Sequence, residues 1–368
     1  MISDRLLAIV CCPSCHGRLE RVGGSGGTAG GPLRCVRCGF EYPQTSGAFL
    51  DLRPRERFEE QTKYLDESLH ADARHERVSP PLLGSKIRND MLRRFLRPSR
   101  GDRVVDLGCG SGRALLWNRD WGADAIGVDI APFFSEDARR EVDLLLADLR
   151  RLPFPDRAFT RAYSLDVLEH LSPEALRQML AEANRVLEPG GRLFVYTHVR
   201  KNAPIAAGLR WINSAARALE RADLIDMRQE RLRKSDHLNP LRDIPELEDV
   251  VRDAGFRIAR ITYYTPIVGG LVENILMRVI ERTMARRAAT RLAGHSRDQA
   301  APESETAAIR EARSSAKARI SRKGPTYAAL RALSAAMKLD VLLFGRIRSG
   351  PFFALLEKTA DAGAHPAP

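Results

Sequence analysis

Residues 104–112 read Val-Val-Asp-Leu-Gly-Cys-Gly-Ser-Gly, an apolar run that ends in three glycines at alternate positions. A buried strand with this ending can turn sharply into a helix, and no side chain projects where a ligand must approach. Dinucleotide sites use the spacing Gly-x-Gly-x-x-Gly, whereas here position 113 is Arg and the third glycine comes one residue earlier. The stretch therefore predicts a strand–turn–helix at a ligand site and disfavours a dinucleotide as the ligand.

Four further motifs follow this glycine turn in order. Ala-Ile-Gly-Val-Asp (125–129) and Leu-Leu-Leu-Ala-Asp (144–148) are apolar runs that each end in an acid. Asp-x-x-Glu-His (166–170) comes next, and Pro-Gly-Gly (189–191) ends a helix before the following strand. A carboxylate at the end of a strand is a good acceptor for a ribose diol. The series predicts an α/β domain that binds a ligand containing a nucleoside.

In order and spacing these motifs resemble the class I S-adenosylmethionine-dependent methyltransferases, close to their small-molecule and quinone branch, over roughly residues 85–264. The resemblance implies a Rossmann-like seven-stranded sheet with S-adenosylmethionine as cofactor. It implies that Asp106 faces the amino-acid end of the cofactor, Asp129 its ribose hydroxyls and Asp148 its adenine amino group. The full implied binding set is Asp106, Gly108, Gly110, Gly112, Asp129, Ile130, Asp148, Leu149 and Leu165.

Three alternatives stand beside this cofactor site. Acids at strand ends also cap the helices that follow them. The chain could also be a structural α/β domain, or a scaffold that binds the cofactor without catalysis. Because each strand end retains the polar residue that a cofactor needs, we expect an enzyme.

Asp166, Glu169 and His170 are the candidate catalytic residues. Three oxygen or nitrogen ligands on one helical turn can bind a divalent ion or serve as a base. The ubiquinone O-methyltransferases carry a similar Glu-x-x-Glu-His beside a metal, and this chain departs from that pattern by Asp at position 166. Alternatively, Glu169 and His170 only brace the start of a helix. His198 and His237 are further candidate bases.

Two pairs of cysteines near the amino terminus, Cys12 with Cys15 and Cys35 with Cys38, have Cys-x-x-Cys spacing. Two such turns place four thiolates around one tetrahedral ion, and zinc suits that ligand set best. Four thiolates close the coordination shell, which predicts a structural rather than a catalytic ion. Cys11 is an alternative ligand, but Cys12 has the usual Cys-Pro-x-Cys form.

The residues around these cysteines carry a second resemblance. Leu6-Leu7 precedes the first pair, and Tyr42-Pro43 and Gly47 follow the second, as in Trm112-like zinc-binding domains. Those domains act beside methyltransferases as folding or partner modules. The alternative is a zinc ribbon that contacts nucleic acid, as in ribosomal RNA methyltransferases with an amino-terminal zinc site.

The order of elements predicts five segments. A zinc module (1–52), a helical linker and leading helix (53–100) and the methyltransferase core (101–265) come first. The seventh strand does not follow directly, so residues 266–349 are predicted to be a basic helical insertion before a closing strand and tail at 350–368. Its first helix, predicted over 267–292, has one apolar and one arginine-rich face; residues 294–324 have the composition of a disordered loop.

Charge is concentrated in this insertion. Residues 278–348 contain 16 Lys or Arg and 6 Asp or Glu, so they carry +10 of the formal net charge of +12. Such a surface attracts the phosphates of nucleic acid or of anionic lipid. No apolar run is as long as a membrane span, and residues 1–10 lack a signal-peptide pattern. We therefore expect a cytoplasmic protein with peripheral contact on the inner membrane face.

Two acceptor classes follow from these features. Apolar faces bordered by arginines favour O- or C-methylation of a lipid-like or other small molecule at an anionic membrane surface. An RNA base is the alternative acceptor, supported by the zinc module and the positive charge. RNA is disfavoured because the basic segment lacks interleaved aromatics for base stacking. The acceptor atom and the oligomeric state are left open.

Overall fold

The computed structural model has a helix-flanked mixed sheet and a small amino-terminal sheet. The residues that the structure describes are 2–22, 31–44, 48–54, 78–200, 206–227, 237–238, 240–280, 282–283, 286 and 324–359. The strands are β1 Leu19–Arg21, β2 Leu33–Cys35, β3 Glu41–Tyr42, β4 Leu50–Asp51, β5 Arg103–Leu107, β6 Asp124–Asp129, β7 Asp143–Leu146, β8 Phe159–Leu165, β9 Leu187–His198, β10 Phe256–Tyr263 and β11 Pro351–Lys358. The helices are α1 Asp4–Ile9, α2 Leu83–Leu96, α3 Arg113–Trp117, α4 Glu136–Glu141, α5 Pro173–Val186, α6 Ala206–Arg221, α7 Ile244–Asp253, α8 Ile267–Gly270 and α9 Pro325–Phe344.

The large sheet has the strand order β10-β11-β9-β8-β5-β6-β7-β4. The pairs β9–β8, β8–β5, β5–β6, β6–β7 and β7–β4 are parallel, and β11 is antiparallel to both of its neighbours. The predicted Rossmann-like α/β class is confirmed. The sequence predicted seven strands, and the eighth, β4, comes from the amino-terminal module. It is two residues long, too short to show an alternating pattern.

The predicted closing strand is present as β11. Its residues from Phe352 to Leu356 are all buried, as expected for a strand covered on both faces. At its end the buried ammonium of Lys358 donates to the carbonyl oxygens of Asn184 and Leu187, at 2.8 and 2.9 Å. These bonds satisfy the buried charge. They also tie β11 to the end of helix α5.

Helix α5 has the predicted start and a different end. The Ser172 hydroxyl accepts a hydrogen bond from the Ala175 amide, and Pro173 occupies the first helical position, where no amide donor is needed. The helix ends at Val186. The Pro-Gly-Gly turn, which was expected to end it, instead lies within β9, where the register against β8 jumps. Gly190, at φ 72°, gives the bulge its left-handed residue.

The insertion before β11 contains helix α8 and helix α9. The expected single amphipathic helix over 267–292 is wrong in part: residues Leu271–Leu276 form a π-helix, which has a wider turn than an α-helix. Val272 points into the core, whereas Leu271, Leu276, Val279 and Ile280 are exposed. The loop expected at 294–324 lies almost wholly outside the described residues, as does Arg287.

Helix α9 is fastened to the start of α8 by a buried acid. The Asp340 carboxylate accepts the backbone amides of Val268 and Gly269 at 2.8 and 2.7 Å. The Ser334 hydroxyl also accepts the Leu83 amide, at 2.7 Å. The insertion therefore packs on the sheet and on α2.

The amino-terminal module is built into the same core. Leu6, Leu33 and Leu50 are buried in the hydrophobic cluster that contains the central strands. The Cys11 amide donates to the Pro153 carbonyl at 2.9 Å, and the Leu52 amide donates to that of Leu146 at 2.8 Å. One face of the module is therefore covered by the domain that follows it.

Candidate functional site

The glycine turn after β5 has the backbone that its sequence predicts. Gly108, Gly110 and Gly112 have φ values of 83°, 53° and 77°, which L side chains rarely adopt. A Cβ on Gly108 would lie 2.4 Å from a methyl group of Val167, and one on Gly112 would lie 2.6 Å from the Cβ of Ala138. A Cβ on Gly110 would meet nothing within 4 Å. The first and third glycines allow close packing, and the middle one faces open space.

Asp129 holds this turn in place from the end of β6. Its carboxylate accepts the Gly110 amide at 2.7 Å and the Ala131 amide at 3.0 Å. Burial raises its pKa, and the backbone donors, led by Ala131, oppose that shift. Each carboxylate oxygen has a second lone pair, so Asp129 can also accept hydrogen bonds from a ligand hydroxyl.

The other predicted cofactor residues border the same edge of the sheet. Asp106 is buried in β5, and this burial raises its pKa well above the usual value, with a further contribution from the charge of Asp129. Asp148 accepts the Arg150 amide at 2.9 Å and pairs with its guanidinium at 2.9 Å. Ile130 and Leu165 are partly exposed, and Leu149 is buried. Their contacts with a cofactor stay predictions.

The predicted Asp166, Glu169 and His170 set is divided. Asp166, at φ 56°, turns to the guanidinium of Arg88, with 3.3 Å between Nε and Oδ2. Glu169 is buried and accepts the Thr197 hydroxyl at 2.9 Å. Burial, with the nearby Asp166 charge, raises the pKa of Glu169 to about 8. The two acids therefore have different partners.

Two histidines from later in the chain complete a group that we call the histidine–glutamate cluster: Glu169, His170, His198 and His237. The rings of His170 and His237 lie 4.7 Å apart, and those of His198 and His237 lie 5.5 Å apart. One ligand atom each from Glu169, His170 and His237 lie within 4.8 Å of one another. The sequence predicted Glu169 and His170 as one set and His198 and His237 as separate candidates, and only the fold brings the four together.

The four predicted zinc ligands converge. The sulfurs of Cys12, Cys15, Cys35 and Cys38 all lie within 4.8 Å of one another. The Tyr42 hydroxyl lies 3.1 Å from the Cys12 sulfur. A Cβ on Gly17 would lie 2.8 Å from the Cys35 sulfur, so the module needs glycine there. Four thiolates in this arrangement fit a structural zinc ion.

Cys11 does not join this group. Its buried thiol is not among the four sulfurs that lie within 4.8 Å of one another, and its backbone amide donates to the Pro153 carbonyl instead. The structure therefore favours Cys12 over Cys11, as the spacing predicted.

Comparison with known proteins identifies the central part of the chain. Residues 105–195, which run from β5 into β9, match the family described as "Methyltransferase domain". Residues 105–195 are a methyltransferase domain. The resemblance inferred from the five motifs is thereby confirmed, and the methyltransferase domain includes both the glycine turn and Glu169–His170.

Relatives of the methyltransferase domain differ in what their names say they methylate. A sterol 4-C-methyltransferase of Caenorhabditis elegans is 32% identical over 29% of this chain and 34% of its own length. A probable tRNA methyltransferase 9B of Mus musculus is 35% identical over 28% of this chain and 24% of its own. The chain thus spans only about a third and a quarter of these two proteins.

A solved structure gives a further comparison. Phosphoethanolamine N-methyltransferase 2 of Haemonchus contortus, in complex with S-adenosyl-L-methionine, is 17% identical at a TM-score of 0.47, covering 82% of this chain and 61% of that one.

No helix among the described residues is long and apolar enough to cross a membrane.

Proposed function

We propose that this protein is an S-adenosylmethionine-dependent methyltransferase that acts on a lipid-like or other small-molecule acceptor. The observation that carries the proposal is the open face of Gly110 above Asp129, at the edge of the sheet where the methyltransferase domain ends its strands. A cofactor can approach the backbone there, and the Asp129 carboxylate is placed to accept its ribose hydroxyls.

The chemistry needs little from the protein beyond position and a proton acceptor. S-adenosylmethionine supplies a methyl group on a sulfonium, which passes in line to the acceptor while the carbon–sulfur electron pair returns to sulfur. An O–H or N–H acceptor also releases a proton. The histidine–glutamate cluster supplies candidate groups to take it, since imidazoles and a carboxylate with a pKa near 8 exchange protons near neutral pH.

The helices around this edge support a membrane-surface acceptor. Helix α8 contacts both α6 and α9. We call these three helices, with the segments directly following α8 and α9, the helical layer. Its exposed apolar side chains are Trp211, Leu271, Leu276, Val279, Ile280, Leu339, Leu342, Leu343 and Ile347. Arg346 and Arg348 flank the last of them and are exposed. Apolar side chains beside basic ones are what an anionic lipid surface binds.

RNA is the second candidate acceptor, and the similarity to the probable tRNA methyltransferase is the observation in its favour. Two features weigh against it. The zinc module packs on the methyltransferase domain, so part of its surface is already covered. Among the exposed large apolar residues of the described ranges, Trp211 is the one aromatic, so a stacking platform for bases is lacking.

Two measurements test the proposal. Calorimetric titration should show S-adenosylmethionine binding, and its absence would remove the proposed activity altogether. The protein should then be incubated with methyl-labelled S-adenosylmethionine and, separately, with total lipid and total RNA from cells. We expect label in the organic extract; label confined to RNA would replace the lipid-like acceptor with a base.

A further inference from the structure

Three exposed arginines lie where the carboxyl end of helix α2 meets the edge strand β10, and we call them the arginine cluster: Arg94, Arg97 and Arg260. The guanidinium of Arg260 lies over the ring of Phe95, with 4.4 Å from its Cζ to the ring centroid. Such a contact holds the cation beside α2. Burial, and then the charges of Arg94 and Arg97, lower the pKa of Arg260. The three cations therefore lie within electrostatic range of one another.

Arginines next to the cluster differ from it in their partners. Arg93, on the same helix, makes two hydrogen bonds to the carboxylate of Asp120, both at 2.7 Å. Arg257, on the same strand, pairs with Glu357. In the part of the chain that the structure describes, no acid forms an ion pair with a member of the cluster. Because like charges repel one another, the cluster favours an anion as its partner.

The end of α2 accounts for only part of this arrangement. Carbonyl groups at the end of a helix attract cations, and the Arg97 Nε donates to the Arg94 carbonyl at 3.1 Å. Arg260 comes from the sheet, so the helix end does not explain its place. Arg97 has φ 47°, a left-handed conformation in which helices usually place glycine. A strained position that carries a charged side chain indicates a role for that side chain.

The cluster and the end of α9 lie side by side. The Leu83 amide of α2 donates to the Ser334 hydroxyl of α9, and further along both helices Asp90 pairs with Lys338. The two helices therefore run in the same direction, and the last turn of α9 lies beside the last turn of α2.

Strand β10 connects the same two places. The Tyr263 amide donates to the carbonyl of Gly345, directly after α9, at 2.9 Å. Arg260 is three residues earlier, about 10 Å along the strand. Leu342 and Leu343, in the last turn of α9, are exposed. A site that favours anions thus adjoins an exposed apolar surface, and an anionic bilayer matches both.

We propose that the arginine cluster binds the phosphate of an anionic phospholipid while Leu342 and Leu343 enter the bilayer. Guanidinium groups suit this ligand, because their paired N–H donors match two oxygens of a phosphate. The inference rests on the proposed function for the membrane surface. It adds a headgroup site in the leading helix and the sheet, outside the basic insertion.

Co-sedimentation with vesicles tests the site. The full chain, without S-adenosylmethionine, is mixed with phosphatidylcholine vesicles that contain or lack phosphatidylglycerol. We expect binding to the vesicles that contain phosphatidylglycerol. The double variant Arg94→Gln, Arg260→Gln should weaken it about twenty-fivefold, which is about fivefold for each arginine. Wild-type protein that binds both kinds of vesicle equally, or neither, would overturn the proposal.

The paired neighbours provide the matched control. Arg93→Gln with Arg257→Gln removes the same charge from the same helix and strand. It should weaken vesicle binding by about twofold at most, because charges away from the contact are screened. Equal losses in the two double variants would mean that binding responds to net charge alone, and the cluster would then not be a site.

Arg97→Gly separates binding from folding. Glycine adopts the left-handed conformation without strain, so the thermal midpoint should equal or exceed that of the wild type. Vesicle binding should still weaken about fivefold. A lower midpoint with unchanged vesicle binding would mean that Arg97 serves only the end of α2, and would exclude it from the site.

Two titrations distinguish other sources of phosphate. Inorganic phosphate should release the protein from vesicles no more than chloride does at equal ionic strength; a stronger effect would assign the cluster to free phosphate instead. Structured RNA should bind the wild type and the Arg94→Gln, Arg260→Gln variant alike. RNA binding that is lost in this variant, without vesicle binding by the wild type, would replace the lipid with nucleic acid.

The outcome is separable from that of the proposed function. Protein that binds the vesicles but transfers no methyl label to lipid would remove the proposed acceptor and leave the headgroup site standing. Label in the lipid extract without vesicle binding would overturn the headgroup site alone.

Discussion

Gly110 and Gly101 both have positive φ. Comparing alanine substitutions at the two positions separates the effect of backbone strain from the effect of blocking the ligand's approach. Gly110→Ala adds about 1–2 kcal/mol of strain and places a methyl group in the open space over the turn. We expect it to weaken S-adenosylmethionine binding at least tenfold by calorimetry. Gly101, at φ 92°, also faces open space, but it precedes the other end of β5. Gly101→Ala should carry at least as much strain and leave cofactor affinity unchanged; equal losses in both would mean that strain alone is responsible.

Asp129→Ala is expected to weaken cofactor binding more than any other single change at the strand ends. The substitution removes two observed bonds to backbone amides and the proposed ones to the ribose, each worth about 1.5–3 kcal/mol for a charged acceptor. Calorimetry should show a Kd at least tenfold higher. Asp148→Ala is the comparison, since Arg150 already occupies that carboxylate. Unchanged affinity in Asp129→Ala would mean that the cofactor lies elsewhere.

At the scale of single residues, the sequence predicts partners that are close along the chain. The glycine turn belongs to a local strand–turn–helix unit and Asp129 ends the next strand, so the order and spacing of the motifs were enough to predict both positions. The pairing of Asp166 with Arg88 joins residues that are far apart in the sequence, and the approach of His237 to His170 does so too. No local pattern records such contacts, and the predicted Asp166, Glu169 and His170 set was divided for that reason.

At the scale of elements, the zinc module should stabilise the whole chain, because it supplies β4 and part of the core. Cys35→Ser removes one of four thiolates. We expect zinc, measured by elemental analysis, to fall from one per chain, and the thermal midpoint to fall with it. Cys11→Ser is the control, since its buried thiol lies outside the cluster and zinc should stay near one per chain. Zinc retained in Cys35→Ser would contradict the ligand set.

We call the hydrogen bonds from the amides at the start of α8 to Asp340 of α9 the clasp, and it can be tested in the same way. Asp340→Ala removes two hydrogen bonds from a buried carboxylate to the amides of Val268 and Gly269, each worth about 1.5–3 kcal/mol. We expect a lower thermal midpoint and faster proteolysis of the insertion. Asp340→Asn keeps one acceptor oxygen and should lie between the two. A wild-type proteolysis rate in Asp340→Ala would show that the clasp contributes nothing.

Elements were predictable where their signals are local. Ser172 and Pro173 start α5 as predicted, and the apolar run 352–356 forms the closing strand. The π-helix at 271–276, which packs against α6, was not predicted, because the apolar spacing in this segment is that of an ordinary amphipathic helix. Strand β4 has two residues, and Leu50 pairs with Leu145 of β7, 95 positions further along the chain.

At the scale of the whole molecule, the order of motifs was enough to predict the class of fold. It also predicted that a long insertion separates β10 from the strand that pairs with it. The order of motifs did not predict how the zinc module joins the core. Arg5 forms ion pairs with Asp124 and Asp143, and β4 extends the sheet beside β7. These contacts depend on surfaces that exist only after both parts have folded.

The helical layer carries the last prediction, which concerns anionic membranes. Leu342 and Leu343 are 78% and 59% exposed and adjacent on α9, close in sequence to Arg346 and Arg348. The double variant Leu342→Ser, Leu343→Ser should lower co-sedimentation with vesicles rich in anionic lipid. Arg346→Gln with Arg348→Gln should lower it by about 1 kcal/mol per residue at low salt, and less as salt screens the charges.

Two features make this test specific. Arg282 and Arg286 both pair with Asp223, two residues after the end of α6, so their substitution would disturb packing within the layer and cannot report on lipid alone.

Val36 is 57% exposed on the zinc module, and Val36→Ser is therefore a matched loss of exposed apolar surface away from the helical layer. It should leave vesicle binding unchanged. If Val36→Ser lowers vesicle binding as much as the leucine variant, lipid contact is not local to the layer. If the wild type ignores vesicles and binds structured RNA with a steep dependence on salt, the basic surface serves nucleic acid.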